Sequence, residues 1–153
     1  MKVTGKDSIS GYIKILLQLI FIFGTTVVIF LPFVTHYYIK FLRLDLQIYY
    51  TSVLVLLYLS GIPALAIIYQ FIKLFDSLKK ETPFIQENVK YLKRASYCAF
   101  VISLEYIAGI YVFHSIFALI ITGIFAIAWL GLYILAELFK QAIQFKEENE
   151  LTI

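Results

Sequence analysis

The chain has 153 residues, 61% of them apolar and 18% aromatic, with a formal net charge of +3 and a mean hydropathy of +0.87. Soluble domains run at about 45–50% apolar, so a wholly water-soluble fold is excluded by the surface it would leave exposed. The single cysteine, Cys98, excludes an intrachain disulfide framework and is expected as a small packing residue in a helix.

Apolar runs of about 20 residues match a hydrocarbon core about 30 Å thick at 1.5 Å per helical residue. The first, residues 15–38, opens after Lys14 and closes on the cluster Thr35, His36, Tyr37 and Tyr38. It outruns the apolar core of a signal peptide, about 7–15 residues, and no small-x-small site follows it, so it is expected as a retained span. Pro32 lies near its outer end and predicts a bend there. Beyond Lys40, Arg43 and Asp45 comes a second run, residues 47–75, longer than a bilayer needs and so expected to tilt or project into the cytoplasm. Gly61 and Pro63 sit mid-span and predict a kink. Proline at 63 frees the Leu59 carbonyl, Ser60 can satisfy local backbone groups, and the pair serves either packing or a gating hinge.

Residues 76–94, DSLKKETPFIQENVKYLKR, form the cytoplasmic connection. Thr82 followed by Pro83 is a helix-start signal, a capping hydroxyl before a residue that needs no N–H. Ile85, Val89 and Leu92 then fall at i, i+4 and i+7, one apolar stripe flanked by Gln86, Glu87, Lys90, Lys93 and Arg94. This amphipathic helix is expected to run into the third span, and its stripe serves either as a lipid interface or as a docking surface for a cytoplasmic protein. Phe84 is expected at the lipid boundary or against the end of the second span near Phe71 and Phe75. Glu81 and Glu87 interrupt the cations, so the loop is not a pure electrostatic anchor.

The third and fourth spans, residues 95–113 and 115–139, are joined at His114 and Ser115, which makes them antiparallel neighbours. Residues 140–153 continue the fourth helix into water and end in Glu147, Glu148 and Glu150, either simply solvated or offered to a basic partner. Of the 13 Lys and Arg, all but Lys40 and Arg43 fall on one side of this arrangement, among them Lys2, Lys6, Lys14, Lys73, Lys140 and Lys146. The excess of Lys and Arg in cytoplasmic loops then places both termini in the cytoplasm of a multi-pass plasma-membrane protein. The expected fold is all-α: a single membrane domain over residues 1–153, its four transmembrane helices forming two antiparallel hairpins joined by the amphipathic helix.

The pattern Thr82-Pro83-Phe84, Glu87-Asn88-Val89 and Leu92, between the second and third of four spans, resembles a family of bacterial four-helix membrane proteins of unknown function. Members of that family are often encoded beside a small helix-turn-helix regulator of the Cro/CI type. The resemblance therefore implies a cytoplasmic regulatory partner and brings no catalytic or ligand residues.

Inside the bilayer, Glu105 stands near the middle of the third span. An ionised carboxylate there costs a few kcal/mol, so it should face the other helices or carry a proton. Its role is either ion or proton handling or a hydrogen bond between helices. Glu137, near Lys140, reads as an interfacial charge. His36 and His114 mark outer helix ends and are too few for a metal site, so no metal and no cofactor is expected. Gly109, Gly123 and Gly131 are candidates for close helix approach, with Ala126 and Ala128 on a small-residue face.

These residues favour a regulatory or interaction protein acting through residues 82–94 and the tail. The alternative is a small proton- or cation-coupled transporter that uses Glu105 in a homo-oligomer. An enzyme is disfavoured because only one ionisable side chain lies deep. Direct nucleic-acid binding is not expected either, since the cations flank spans and lack a binding fold. The bilayer itself is the one certain partner.

Overall fold

The computed structural model describes residues 9–41, 46–79, 84–113 and 116–151. They form four helices: α1 (Ile9–Phe41), α2 (Leu46–Lys79), α3 (Gln86–Phe113) and α4 (Ile116–Leu151). Five readings fall outside the described residues: the Thr82-Pro83 helix start, Glu81 among the loop cations, the His114-Ser115 turn, Arg43 and Asp45 in the outer loop, and Lys2 and Lys6 in the N-terminal arm.

Helix is the only local solution for such apolar segments in lipid, because every backbone N–H and C=O must be satisfied within the segment. Three helices are long and apolar enough to cross a membrane, over Ile9–Phe41, Tyr50–Leu78 and Ile116–Asn149. At most 6% of the apolar window of each is buried inside the protein, so their surfaces require a hydrocarbon surrounding. With 33, 34 and 36 residues in α1, α2 and α4, these rods are about 50–54 Å long at 1.5 Å per residue. They therefore overshoot a hydrocarbon core of about 30 Å.

The helices pack in chain order, α1 on α2, α2 on α3 and α3 on α4, while α1 and α4 do not meet through their described residues. The bundle is thus open on one side. Glycine allows the α1–α2 approach: a Cβ at Gly24 would lie 3.0 Å from Leu65 Cδ2, and one at Gly61 would lie 3.2 Å from Val28 Cγ2. Phe21 meets Tyr69 with ring centroids 6.3 Å apart, and the Tyr50 hydroxyl reaches the Pro32 carbonyl at 3.5 Å. Between α3 and α4, small residues do the same work. Ser96 donates to the Trp129 carbonyl and Ser103 to the Thr122 carbonyl, both at 3.2 Å, and Ala95 and Ala99 are buried beside them.

One detail differs from the sequence reading. Gly123 and Gly131 have open space where a Cβ would stand, whereas Gly24 and Gly61 meet a neighbouring helix and Gly109 is buried. The helix α2 is continuous through Gly61 and Pro63. Ser60 there donates to the Leu56 carbonyl at 2.9 Å, one turn back along its own helix.

Candidate functional site

Hydrophobic packing concentrates at the end of the molecule where α2 finishes, α3 starts and α4 continues past its apolar stretch. Leu74, Val89, Leu92, Ala136 and Ile143 form a buried core there, with Phe71, Leu132 and Phe139 packed around it. Burying a Val or Leu side chain is worth about 1.5–3 kcal/mol when water is the alternative. Leu74 and Ala136 end the apolar runs of α2 and α4 while Val89, Leu92 and Ile143 lie beyond them, so this core forms a three-helix platform at the edge of the apolar stretches.

The apolar stripe of residues 85–92 is spent on that platform. Val89 is 5% exposed and Leu92 1%, so neither is presented to lipid or to a docking protein. The physical reason is that α2 and α4 both project far enough to cover the stripe with Leu74 and Ile143. Ile85 precedes the helix and is half-buried, and the carbonyl of Ile85 accepts the Asn88 N–H at 3.0 Å. Phe84 lies against Phe139 of α4, the ring centroids 5.7 Å apart and the planes tilted by 43°. Pro83 lies outside the described residues. Lys90 and Arg94 are exposed, whereas Lys93 is half-buried.

A polar tie crosses each seam near this end. Lys14 of α1 forms an ion pair with Asp76 of α2. Between α2 and α3, Asn88 Nδ2 donates to Ser77 Oγ at 2.6 Å. The Ser77 hydroxyl can donate to Asn88 Oδ1 at 2.9 Å or to the Leu74 carbonyl at 2.8 Å. Asn88 is fully buried, and a polar group so placed is tolerated only when it is hydrogen-bonded. Between α3 and α4, Lys93 Nζ sits 2.7 Å from Glu137 and 5.8 Å from the Tyr133 ring centroid. The hydrogen bond that Lys93 donates to Glu137 raises the Lys93 pKa above its ordinary value, against a smaller lowering by desolvation. Glu137 is thus a partner across helices as well as an interfacial charge.

The sequence reading missed the Asn88–Ser77 pair and the role of Ile143. A signal existed for the first: Asn88 lies four residues before Leu92, on the apolar stripe, where a polar residue demands a partner. No comparable signal marks Ile143, because periodicity identifies an apolar face without naming what covers it.

Deeper along α3, Glu105 stands seven residues beyond Cys98, on the row that continues through Val101 along the α2 side. Ile62, Pro63 and Ala66 of α2 line a groove with Tyr97, Cys98 and Val101 at this level. Both Glu105 carboxylate oxygens are buried without a hydrogen-bond partner, as are Gln70 Oε1 and Thr35 Oγ1. Such an orphan costs about 1–3 kcal/mol, more if charged. His36 packs edge-on against Tyr50 at 6.3 Å. Among the described residues no group of three or more His, Cys, Asp or Glu is placed to hold a metal ion.

Comparison with known proteins agrees with a membrane setting. A family model described as "Protein of unknown function (DUF2975)" matches residues 19–153. The chain is also similar to the "Uncharacterized membrane protein YoaS" of Bacillus subtilis (strain 168), at 34% identity over 66% of this chain and 70% of the relative. No solved structure matches the chain. The match to most of its length places the chain in the DUF2975 family of membrane proteins.

Proposed function

For this member of the DUF2975 family, we propose an integral membrane interaction protein: a four-span anchor that holds a cytoplasmic docking platform for a regulatory protein. All four helices cross the plasma membrane as two antiparallel hairpins, α1–α2 and α3–α4, with both termini in the cytoplasm. The pairing of Lys14 with Asp76 and of Phe21 with Tyr69 supports the first hairpin. The pairing of Lys93 with Glu137 and of Ser103 with Thr122 supports the second. The excess of Lys and Arg beside the platform supports the orientation.

The observation that carries this reading is the position of the buried core. Leu74, Val89, Leu92, Ala136 and Ile143 bring α2, α3 and α4 together in one buried core, and a protein that only needed to cross a bilayer has no use for a shared core at that end. Because Val89 and Leu92 are inside, the surface offered to a partner is the polar face bearing Lys90 and Arg94, with the exposed outer residues of the α4 extension. The partner class is a small helix-turn-helix regulator, as the resemblance noted above implies. A charged, solvated face of this kind gives partner choice and association rate more than raw affinity.

The test is co-purification of the full-length membrane protein with the helix-turn-helix regulator encoded beside it. Capture by the natural protein and its loss on Lys90→Glu with Arg94→Glu is expected. Absence of capture, or capture unchanged in the double variant, overturns the reading.

A second reading rests on Glu105, whose buried and unpartnered carboxyl suits a site that exchanges a proton or cation in a transporter built from more than one copy. Uptake into proteoliposomes abolished by Glu105→Gln supports it; uptake indifferent to that change removes it.

A further inference from the structure

The platform leaves one feature of the membrane-facing surface unexplained, a groove between α1 and α2 on the same end of the molecule. It is lined by Ile15, Gln18, Leu19, Ile22, Tyr69 and Ile72, with a volume of about 490 Å³. Ile15, Leu19 and Ile22 are each more than half exposed, so in a bilayer an acyl chain lies against them. Two features set this groove apart from an ordinary greasy face. Lys73 extends over the ring of Tyr69, its Nζ 5.5 Å from the centroid, which puts a cation at the mouth of the groove, on the wall formed by α2. Gln18, exposed and one turn deeper than Lys14, puts an amide donor inside an otherwise apolar lining.

We infer that this groove is a binding site for one anionic phospholipid of the cytoplasmic leaflet, its phosphate on the Lys73 ammonium, a glycerol ester carbonyl on the Gln18 amide and an acyl chain along Leu19 and Ile22. The Lys14–Asp76 and Phe21–Tyr69 contacts set Lys73 near the level of Gln18, with Leu19 and Ile22 deeper along α1. Basic pockets between spans on the cytoplasmic side select anionic headgroups. Lys14 does not compete for the phosphate, since Asp76 engages it. A second copy of the chain is a poorer occupant. Asp76 and Glu137 are paired with Lys14 and Lys93, so neither is offered to Lys73 of another copy.

The site rests on the reading that Lys14 and Lys73 mark the cytoplasmic boundary of the bilayer, but its test has no sides. The full chain, purified in a neutral detergent, is titrated with phosphatidylglycerol or phosphatidylcholine, and retained lipid is counted by native mass spectrometry. Phosphatidylglycerol is expected to be retained about fivefold more readily, the factor for one lysine near an anionic surface. Lys73→Gln removes that preference, Leu19→Trp lowers retention of both lipids by filling the groove, and Lys90→Gln changes neither. Circular dichroism confirms that each variant keeps its helix content. The inference is overturned by equal retention of the two lipids, by a preference that survives Lys73→Gln, by one that Lys90→Gln removes, or by a well-folded Leu19→Trp protein that retains lipid unchanged. A failure of membrane topology leaves this detergent result untouched and is read separately by labelling in cells.

Discussion

At the scale of single residues, the molecule is decided by a few polar groups in apolar surroundings. Asn88 has none of its surface exposed and is hydrogen-bonded to Ser77 across the seam, so the pair fixes the rotation of α3 against α2. Asn88→Ala takes away the partner that Ser77 has on α3. The expected loss is about 1–3 kcal/mol, the cost of stranding a buried polar group, read as a lower unfolding midpoint in detergent. An unchanged midpoint would mean that the pair does not tie the helices. Gly61 works by absence: a Cβ 3.2 Å from Val28 Cγ2 needs only a small displacement, whereas a longer side chain has no room. Gly61→Ala is expected to be mild and Gly61→Leu to part α1 from α2, checked by crosslinking cysteines placed at Lys14 and Asp76. Equal crosslinking in the Leu variant would sink that role. Glu105 is the opposite case, a buried group whose two oxygens find nothing.

At the scale of elements, the amphipathic segment continues without a break as one helix from Gln86 to Phe113, as its sequence pattern predicts. Hydropathy makes the four helices and their approximate limits legible because lipid imposes length and composition directly. The same patterning located the apolar stripe at Val89 and Leu92, yet it could not say that Leu74 and Ile143 cover it. That outcome depends on how far two other helices project, a three-dimensional fact with no local signature. The consequence reverses the natural design of an experiment. Leu92→Ala is expected to cost about 2–5 kcal/mol as a buried truncation, seen as a lowered unfolding midpoint and not as a selective loss of partner binding. Lys90→Glu, on the exposed face, is expected to leave the midpoint unchanged. If Leu92→Ala leaves it unchanged as well, the platform core is not packed as described. The tie between Lys93 and Glu137 makes a further prediction of direction. Because the Lys93 pKa is raised, its stabilisation is fully present below the ordinary lysine value and is lost only as pH rises through the raised one. Activity or stability changes between neutral pH and pH about 9 are therefore not assigned to this pair.

At the scale of the whole molecule, the helices form an open succession in which α1 and α4 do not touch through their described residues, closed at one end by polar ties and a shared core. A buried core shared by three helices at one end suits a membrane anchor that presents a surface. The central claim is that α3 crosses the membrane along with the three more apolar helices, bringing the tail back to the side of the amino terminus. It is tested most directly with a single cysteine introduced as Lys146→Cys in a Cys98→Ala background and a membrane-impermeant thiol reagent added to intact cells. Four spans predict no labelling until the cells are permeabilised, while a companion His114→Cys protein labels at once. Labelling of Lys146→Cys in intact cells would place the tail outside, leave α3 on the cytoplasmic surface, and contradict the account.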